Sequence, residues 1–131
     1  MKNINKKIYL PKNIIHINET HNIKELIEYY SMGDVFLNLS LEETFGKVSA
    51  EALACGVPVI TNDSTAKTEL IGEGCGYIVK SQDVNEILNY IKLIQKNTKS
   101  FYSKNCIDYA RKKFDKTDRI KDHLELYNKI I

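Results

Sequence analysis

The chain has 131 residues, and its 43% hydrophobic and 27% charged residues exclude a disordered or fibrous protein. The formal net charge of +2, spread along the sequence, argues against a nucleic-acid-binding protein. Because this length is typical of one domain, we expect residues 1–131 to fold as a single unit.

The cysteines and the apolar runs indicate the compartment. Cys55, Cys75 and Cys106 form neither a CxxC pair nor a metal-ligand pattern, and an odd number of isolated cysteines indicates reduced thiols. Cys55 is predicted to be a small core residue. No apolar run reaches the roughly 18 residues of a membrane span, and the lysine-rich N-terminus lacks the apolar segment of a secretion signal. We therefore expect a cytoplasmic protein.

Short apolar runs alternate with helical patterns along the chain. Residues 14–17 are predicted to form a strand, residues 23–31 a helix, and residues 35–39 a strand that is buried on both faces because it scarcely alternates. The tyrosines on predicted helix faces, Tyr30 and Tyr102 among them, are predicted to pack in the core. The later predictions are a helix over 45–55 capped by Gly56, a strand over 57–61, a short helix over 66–71, a turn over 72–76, a strand over 77–79, and helices over 84–95, 99–114 and 117–130.

This order of elements predicts an α/β fold. Strands that alternate with helices favour βαβ units, here a parallel sheet of about four strands with flanking helices and extra C-terminal helices. Ligands bind such sheets at the carboxyl ends of the strands. Residues 38–46 follow a predicted strand and should therefore lie where a ligand binds.

Two glutamates, Glu43 and Glu51, stand eight positions apart around the start of the predicted helix 45–55. The free N–H groups of its first turn suit a phosphate oxygen, with the help of the helix dipole. Glu51 is placed to accept hydrogen bonds from two vicinal hydroxyls such as those of a ribose. Glu43 is placed either to accept hydrogen bonds from the hydroxyls of a sugar or to stabilise positive charge that develops on it. The first-turn amides are those of Phe45, Gly46, Lys47 and Val48.

A structural interpretation of both glutamates remains open at this point. Lys47 and Glu51 are four positions apart, which is the spacing of an exposed ion pair on a helix. Glu43 alone would favour the N-terminus of the helix.

Residues 43–46 (Glu-Thr-Phe-Gly) and 51–60 (Glu-Ala-Leu-Ala-Cys-Gly-Val-Pro-Val-Ile) resemble the E-x7-E signature of the retaining GT-B glycosyltransferases, glycosyltransferase family 4 or group 1. Residues 29–40, 69–71, 76–79 and 83–94 resemble the family's flanking segments, so the similarity extends over residues 13–94. The resemblance implies a Rossmann-like fold, and it identifies the chain as part of a C-terminal donor-binding domain whose N-terminal acceptor domain is absent.

The resemblance also implies a site. Glu51 would hold the ribose of a UDP- or GDP-sugar, Glu43 would contact the donor sugar as a catalytic residue, and backbone amides would meet the diphosphate. The acceptor would be a glycan or a lipid, as in polysaccharide biosynthesis, with no metal or other cofactor. The implied site residues are Glu43, Thr44, Phe45, Gly46, Lys47, Val48 and Glu51.

The sequence departs from the family in two places. Residues 63–69 replace a Gly-Gly-x-Pro-Glu run, and the two βα units that supply an Arg and a Lys to the diphosphate are missing. We therefore expect the chain alone to be inactive, and the full enzyme to be cytoplasmic, with peripheral contact at the inner face of the membrane. Strand 35–39 would become an apolar edge, covered by strand 14–17 or by a second copy of the chain.

Two other interpretations stay open. The chain could be a truncated, non-catalytic module that binds nucleotides or self-associates. It could also be another Rossmann protein such as a dehydrogenase, but no GxGxxG motif follows a predicted strand.

Overall fold

The computed structural model describes residues 9–39, 47–63, 71–80 and 83–114, with the backbone alone for Lys47 and Phe114. These residues form α1 (Ile23–Met32), β1 (Phe36–Asn38), α2 (Lys47–Ala54), β2 (Val59–Asn62), β3 (Gly76–Val79), α3 (Val84–Asn97) and α4 (Lys99–Phe114). The predicted helix 117–130 and all of the predicted helix 66–71 except Ile71, which is not helical, lie outside the described residues.

The sheet is parallel, with strand order β1-β2-β3. β2 lies in the centre, and all four of its residues are buried. Phe36 pairs with Val59 in the first ladder, and Val59 pairs with Gly76 in the second. The predicted α/β fold is therefore confirmed, with three strands in the described part of the chain where about four were predicted.

The predicted strand over residues 14–17 is wrong. These residues pair with no strand, and the side chain of Ile15 is 83% exposed. Residues 15–20 instead line an open cleft of about 630 Å³. Its other lining residues are Glu25, Tyr29 and Met32, which follow one another at intervals of one turn along α1. An apolar run becomes a strand only where a neighbouring strand accepts its backbone hydrogen bonds, and β1 does not lie beside this segment. It therefore does not cover the edge of the sheet.

The expectation that the strand around residues 35–39 is buried on both faces is also wrong. Asn38 is buried and Phe36 is half-buried, whereas Leu37 between them is 42% exposed. β1 is an edge strand, and Phe36 and Asn38 face α1 and α2, where the ring of Phe36 meets that of Tyr30 at 5.5 Å. No described helix covers the opposite face at Leu37.

The ends of the helices follow local capping rules. The side chain of Asn22 caps α1 by accepting a hydrogen bond from the N–H of Glu25 at 3.2 Å. α2 ends in a Schellman motif, because Gly56 has a φ of +78° and the N–H groups of Gly56 and Val57 donate to the carbonyls of Leu53 and Ala52. The prediction that Gly56 caps this helix is confirmed, and the turn sends the chain straight into β2.

α2 is enclosed between the sheet and α4. It buries Ala50, Ala52, Leu53 and Ala54, small residues apart from Leu53, which allow its neighbours to approach closely. α4 presents a stripe of buried residues at a spacing of four, Tyr102, Cys106 and Ala110, as expected for one face of a helix. The predicted packing role of Tyr102 is confirmed, and its hydroxyl lies 2.8 Å from that of Tyr77 on β3.

The three cysteines are buried as free thiols. Burial, and to a smaller extent the negative charge of Glu51, raises the pKa of Cys55 to about 12. The expectation that Cys55 is a core residue is confirmed.

Replacement of Gly76 by Ala should destabilise the fold severely. Gly76 has a φ of +149°, and an added Cβ would lie 1.8 Å from the carbonyl oxygen of Val59 on the central strand. We expect the free energy of unfolding to fall by about 3 kcal/mol or more, measured by urea denaturation.

Gly33→Ala is the control, because its added Cβ would lie 3.4 Å from its nearest neighbour, the Tyr30 carbonyl, at an ordinary φ of −75°. Equal denaturation midpoints for the two variants would contradict the pairing of β2 with β3 described above.

Candidate functional site

The carboxyl ends of β1 and β2 meet the first turn of α2 at one edge of the sheet. Buried polar side chains lie at this edge and bond to one another or to the backbone. The Asn38 amide donates to the Ser49 hydroxyl at 2.7 Å, and the Thr61 hydroxyl donates to the Asn38 carbonyl at 2.9 Å. The Asn62 amide donates to the Leu39 carbonyl at 3.0 Å. This polar network ties the end of β1 both to β2 and to α2.

Of the sequence-predicted site residues, the structure describes Val48, Glu51 and the backbone of Lys47. Glu43, Thr44, Phe45 and Gly46 lie outside the described residues, so their roles stay predictions. The described helix begins at Lys47, and Val48 in its first turn is half-buried. By their position, the first backbone N–H groups of α2 lack acceptors within the helix. The structure therefore places the start of α2 at the carboxyl edge, as the sequence predicted.

Glu51 is buried one turn into α2, with 2% of its surface exposed. One of its partners is Tyr30 on α1, whose hydroxyl donates to Glu51 Oε2 at 3.0 Å. A buried carboxylate must have such partners, because removing its charge from water is costly. The alternative interpretation placed Glu51 on an exposed face of the helix, and its burial shows that this is wrong, while the side chain of Lys47 lies outside the described part of the chain.

Tyr30 is a residue whose site contact the sequence did not reveal. Its helical spacing predicted packing, and its ring does pack edge-on against Phe36. Its hydroxyl, however, reaches a carboxylate 21 positions away in sequence, so helix periodicity gives no signal for the contact. Asn38, Ser49, Thr61 and Asn62 were likewise not predicted as site residues. For Asn38, Thr61 and Asn62 the available signal was a polar side chain at the end of an otherwise apolar strand, and Ser49 on α2 gave no such signal.

Among the described residues near α2, Lys99 carries a positive charge. Its ammonium donates to the carbonyl of Ser31 at 2.5 Å, at the C-terminal end of α1, where a positive charge complements the helix dipole. Because Ser31 and Asp34 precede β1, Lys99 lies towards the amino edge of the sheet, opposite to the polar network. It does not replace the cations that a diphosphate at the carboxyl edge would meet.

The described residues fall in the ranges 9–39, 47–63, 71–80 and 83–114. They contain no group of three His, Cys, Asp or Glu side chains arranged to hold a metal ion. Their helices include none with the length and apolar character needed to cross a bilayer.

Tyr30→Phe should destabilise the protein, because it leaves a buried carboxylate without one of its donors. We expect a loss of about 1–3 kcal/mol in the free energy of unfolding, the usual range for a hydrogen bond to a charged group, measured by chemical denaturation.

Tyr29→Phe is the matched control on the same helix. The Tyr29 hydroxyl also donates to a glutamate, Glu25 at 2.8 Å, but Glu25 is only half-buried, whereas Glu51 is buried. The control should change stability less, and an equal loss in both variants would show that burial of Glu51 does not strengthen its bond to Tyr30.

Comparisons with known proteins agree with this geometry. A sequence profile of the family described as "Glycosyl transferases group 1" matches residues 1–113. An uncharacterized 41.2 kDa protein in the cps region of Klebsiella pneumoniae is 32% identical over 120 residues, which cover 88% of this chain and 32% of that protein.

Two further relatives have named activities. N-acetyl-alpha-D-glucosaminyl L-malate synthase of Bacillus anthracis is 32% identical over 83 residues, 63% of this chain and 21% of the enzyme. GDP-mannose-dependent alpha-mannosyltransferase of Mycobacterium tuberculosis (strain CDC 1551 / Oshkosh) is 48% identical over 48 residues, which cover 37% of this chain and 13% of that enzyme. The chain thus spans about a third or less of the length of these relatives. With the profile matching most of its length, the chain belongs to the glycosyl transferases group 1 family.

Proposed function

We propose that this chain forms the donor-binding part of a retaining glycosyltransferase that moves a hexosyl group from a UDP- or GDP-sugar to a glycan or lipid acceptor. The observation that carries the proposal is the position of α2. The helix starts at the carboxyl edge of a parallel sheet and buries Glu51 one turn further in. That edge is where open α/β sheets bind ligands.

The start of α2 offers the chemistry that a diphosphate requires. Its first N–H groups point out of the helix, and the helix dipole adds a favourable interaction with negative charge. The proposed amides are those of Phe45 and Gly46, which precede the described part of α2, and of Lys47 and Val48, with Gly46 permitting close approach of the backbone. One relative's name states dependence on GDP-mannose, which is a nucleoside diphosphate sugar and supports this ligand class for the family.

Glu51 is the candidate ligand of the ribose. A carboxylate accepts two hydrogen bonds from vicinal hydroxyls when its orientation is fixed in advance. The Tyr30 hydroxyl at 3.0 Å supplies such a restraint on Oε2, and the packing of Tyr30 against Phe36 restrains the tyrosine in turn. Nucleotide binding would then add the ribose hydroxyls to the contacts of a carboxylate that is already oriented.

Glu43 completes the proposed site. It would contact the donor sugar and stabilise the positive charge that develops there as the bond to the diphosphate breaks. We propose that transfer needs no metal, and that the acceptor and the remaining cations are held by another part of a longer enzyme. This chain by itself would then bind the donor but transfer its sugar very slowly or not at all.

Glu51→Ala should weaken nucleotide binding. Loss of two hydrogen bonds to the ribose predicts a dissociation constant for UDP or GDP about tenfold higher or more, equivalent to about 1.4 kcal/mol. Isothermal calorimetry measures it, with thermal unfolding run in parallel to show that the variant is folded.

Glu25→Ala is the control, because Glu25 also accepts a hydrogen bond from a tyrosine but is half-buried on α1, away from the proposed ribose ligand on α2. It should bind the nucleotide as the unchanged chain does. Absence of binding to both UDP and GDP by the unchanged chain, or equal affinity of a folded Glu51→Ala variant, would overturn the proposed function.

A second candidate function is a non-catalytic, self-associating module, and the open edge of the sheet favours it. Among the described residues, β1 pairs with a strand on one side only, and Leu37 within it and Leu39 just after it are exposed. Unpaired edges of this kind recruit further strands.

If self-association is the function, light scattering at micromolar concentration should show a dimer that Leu37→Lys dissociates. The control is Glu28→Lys, which introduces the same lysine side chain on the exposed face of α1 and should leave the dimer intact. A monomer in the unchanged chain would remove this candidate.

A further inference from the structure

We propose that Thr61 and Asn62, with Asn38 and Ser49, are positioning residues that fix the end of β1 and the start of α2 relative to each other, on the two sides of the proposed donor-binding residues. The inference rests on the proposed function, because it concerns the same edge of the sheet. It adds residues that touch neither nucleotide nor sugar in the proposal above.

The side chains of Thr61 and Asn62 on β2 form hydrogen bonds with the backbone at the end of β1. Asn38 and Thr61 form the last pair of the β1–β2 ladder, and the Thr61 hydroxyl also donates to the Asn38 carbonyl at 2.9 Å. Asn62 lies one residue beyond the end of that ladder, and its side-chain amide donates to the Leu39 carbonyl at 3.0 Å. The last two carbonyls before residue 40 thus each accept a hydrogen bond from a side chain of β2.

The same network holds the chain where helix α2 begins. The Asn38 side chain donates to the hydroxyl of Ser49, in the first turn of α2, at 2.7 Å. Leu39 precedes residues 40–46 and Lys47 follows them. The two points that flank this segment, which carries Glu43 and the loop amides, are therefore linked through one buried side chain.

The polarity of these residues needs an explanation beyond packing. Asn38, Ser49, Thr61 and Asn62 are all buried, and burial of polar groups is unfavourable unless each hydrogen bond is made. Valine, leucine and alanine would fill the same space in an apolar interior without that requirement. What hydrogen bonds add is direction, since a satisfied polar network selects one arrangement of the elements that it joins. A ligand site needs that selection, because a shift of about 0.5 Å or more weakens its contacts.

The test compares Thr61→Val, which keeps the shape but removes the hydroxyl, with Thr61→Ser, which keeps the hydroxyl. We expect Thr61→Val to raise the dissociation constant for UDP or GDP about fivefold or more, and Thr61→Ser to stay within about twofold of the unchanged chain. Amide hydrogen exchange of peptides covering residues 39–50 should be faster in Thr61→Val and unchanged in Thr61→Ser.

Ser103→Ala is the matched control. The Ser103 hydroxyl also donates to a backbone carbonyl, that of Gly56 at 2.7 Å, but at the other end of α2. It should lower thermal stability to a similar extent as Thr61→Val without changing nucleotide affinity or exchange over residues 39–50. Asn62→Ala serves as a second variant if Thr61→Val does not fold, and it should show the same two effects.

Three outcomes decide between the hypotheses. Equal affinity and equal exchange in Thr61→Val and Ser103→Ala would overturn the positioning role, and so would failure of Thr61→Ser to restore both. If the unchanged chain binds neither UDP nor GDP, the proposed function fails. The exchange of residues 39–50 then decides by itself whether the network holds this part of the chain.

Discussion

The packing of α2 between the parallel sheet and α4 is the constraint on which the rest of the structure depends. Leu53 is fully buried at its centre, which contributes about 1.5–3 kcal/mol, and the alanines around it let both neighbours approach closely. Gly56 then reverses the chain into the central strand β2, and the Ser103 hydroxyl fixes that turn to α4. The helix is therefore held along its length, which leaves its N-terminal amides with a defined position at the carboxyl edge.

This arrangement explains how a small sheet can orient a ligand site. The buried face of α2 carries Glu51 towards Tyr30 on α1, while Ser49 in the first turn meets Asn38 on β1. Helix α1 thus restrains the carboxylate, and the strands restrain the start of the helix. Under the proposed function, these contacts would hold the residues that meet the diphosphate and the ribose of a nucleotide sugar.

The sequence predicted well where one interaction dominates over a short stretch. Helix periodicity gave α1 and α4 within about a residue, and the φ requirement of Gly56 gave the end of α2. It failed for residues 14–17, where an apolar run looked like a strand. Strand formation depends on a partner elsewhere in the chain, and these residues line an open cleft beside α1 instead of pairing with a strand. The exposed Leu37 has the same origin, because apolar composition does not reveal whether a helix covers a face.

The sequence by itself determined the alternation of strands and helices, the start of α2 after a strand, and the spacing of Glu43 and Glu51, because these depend on local periodicity and on chain order. Only the tertiary structure decided that Glu51 is buried and bonded to Tyr30, and that Thr61 and Asn62 hold the end of β1. Each of these hydrogen bonds joins residues more than 20 positions apart. The packing of helices and strands determines which residues become such partners, and no local pattern in the sequence predicts them.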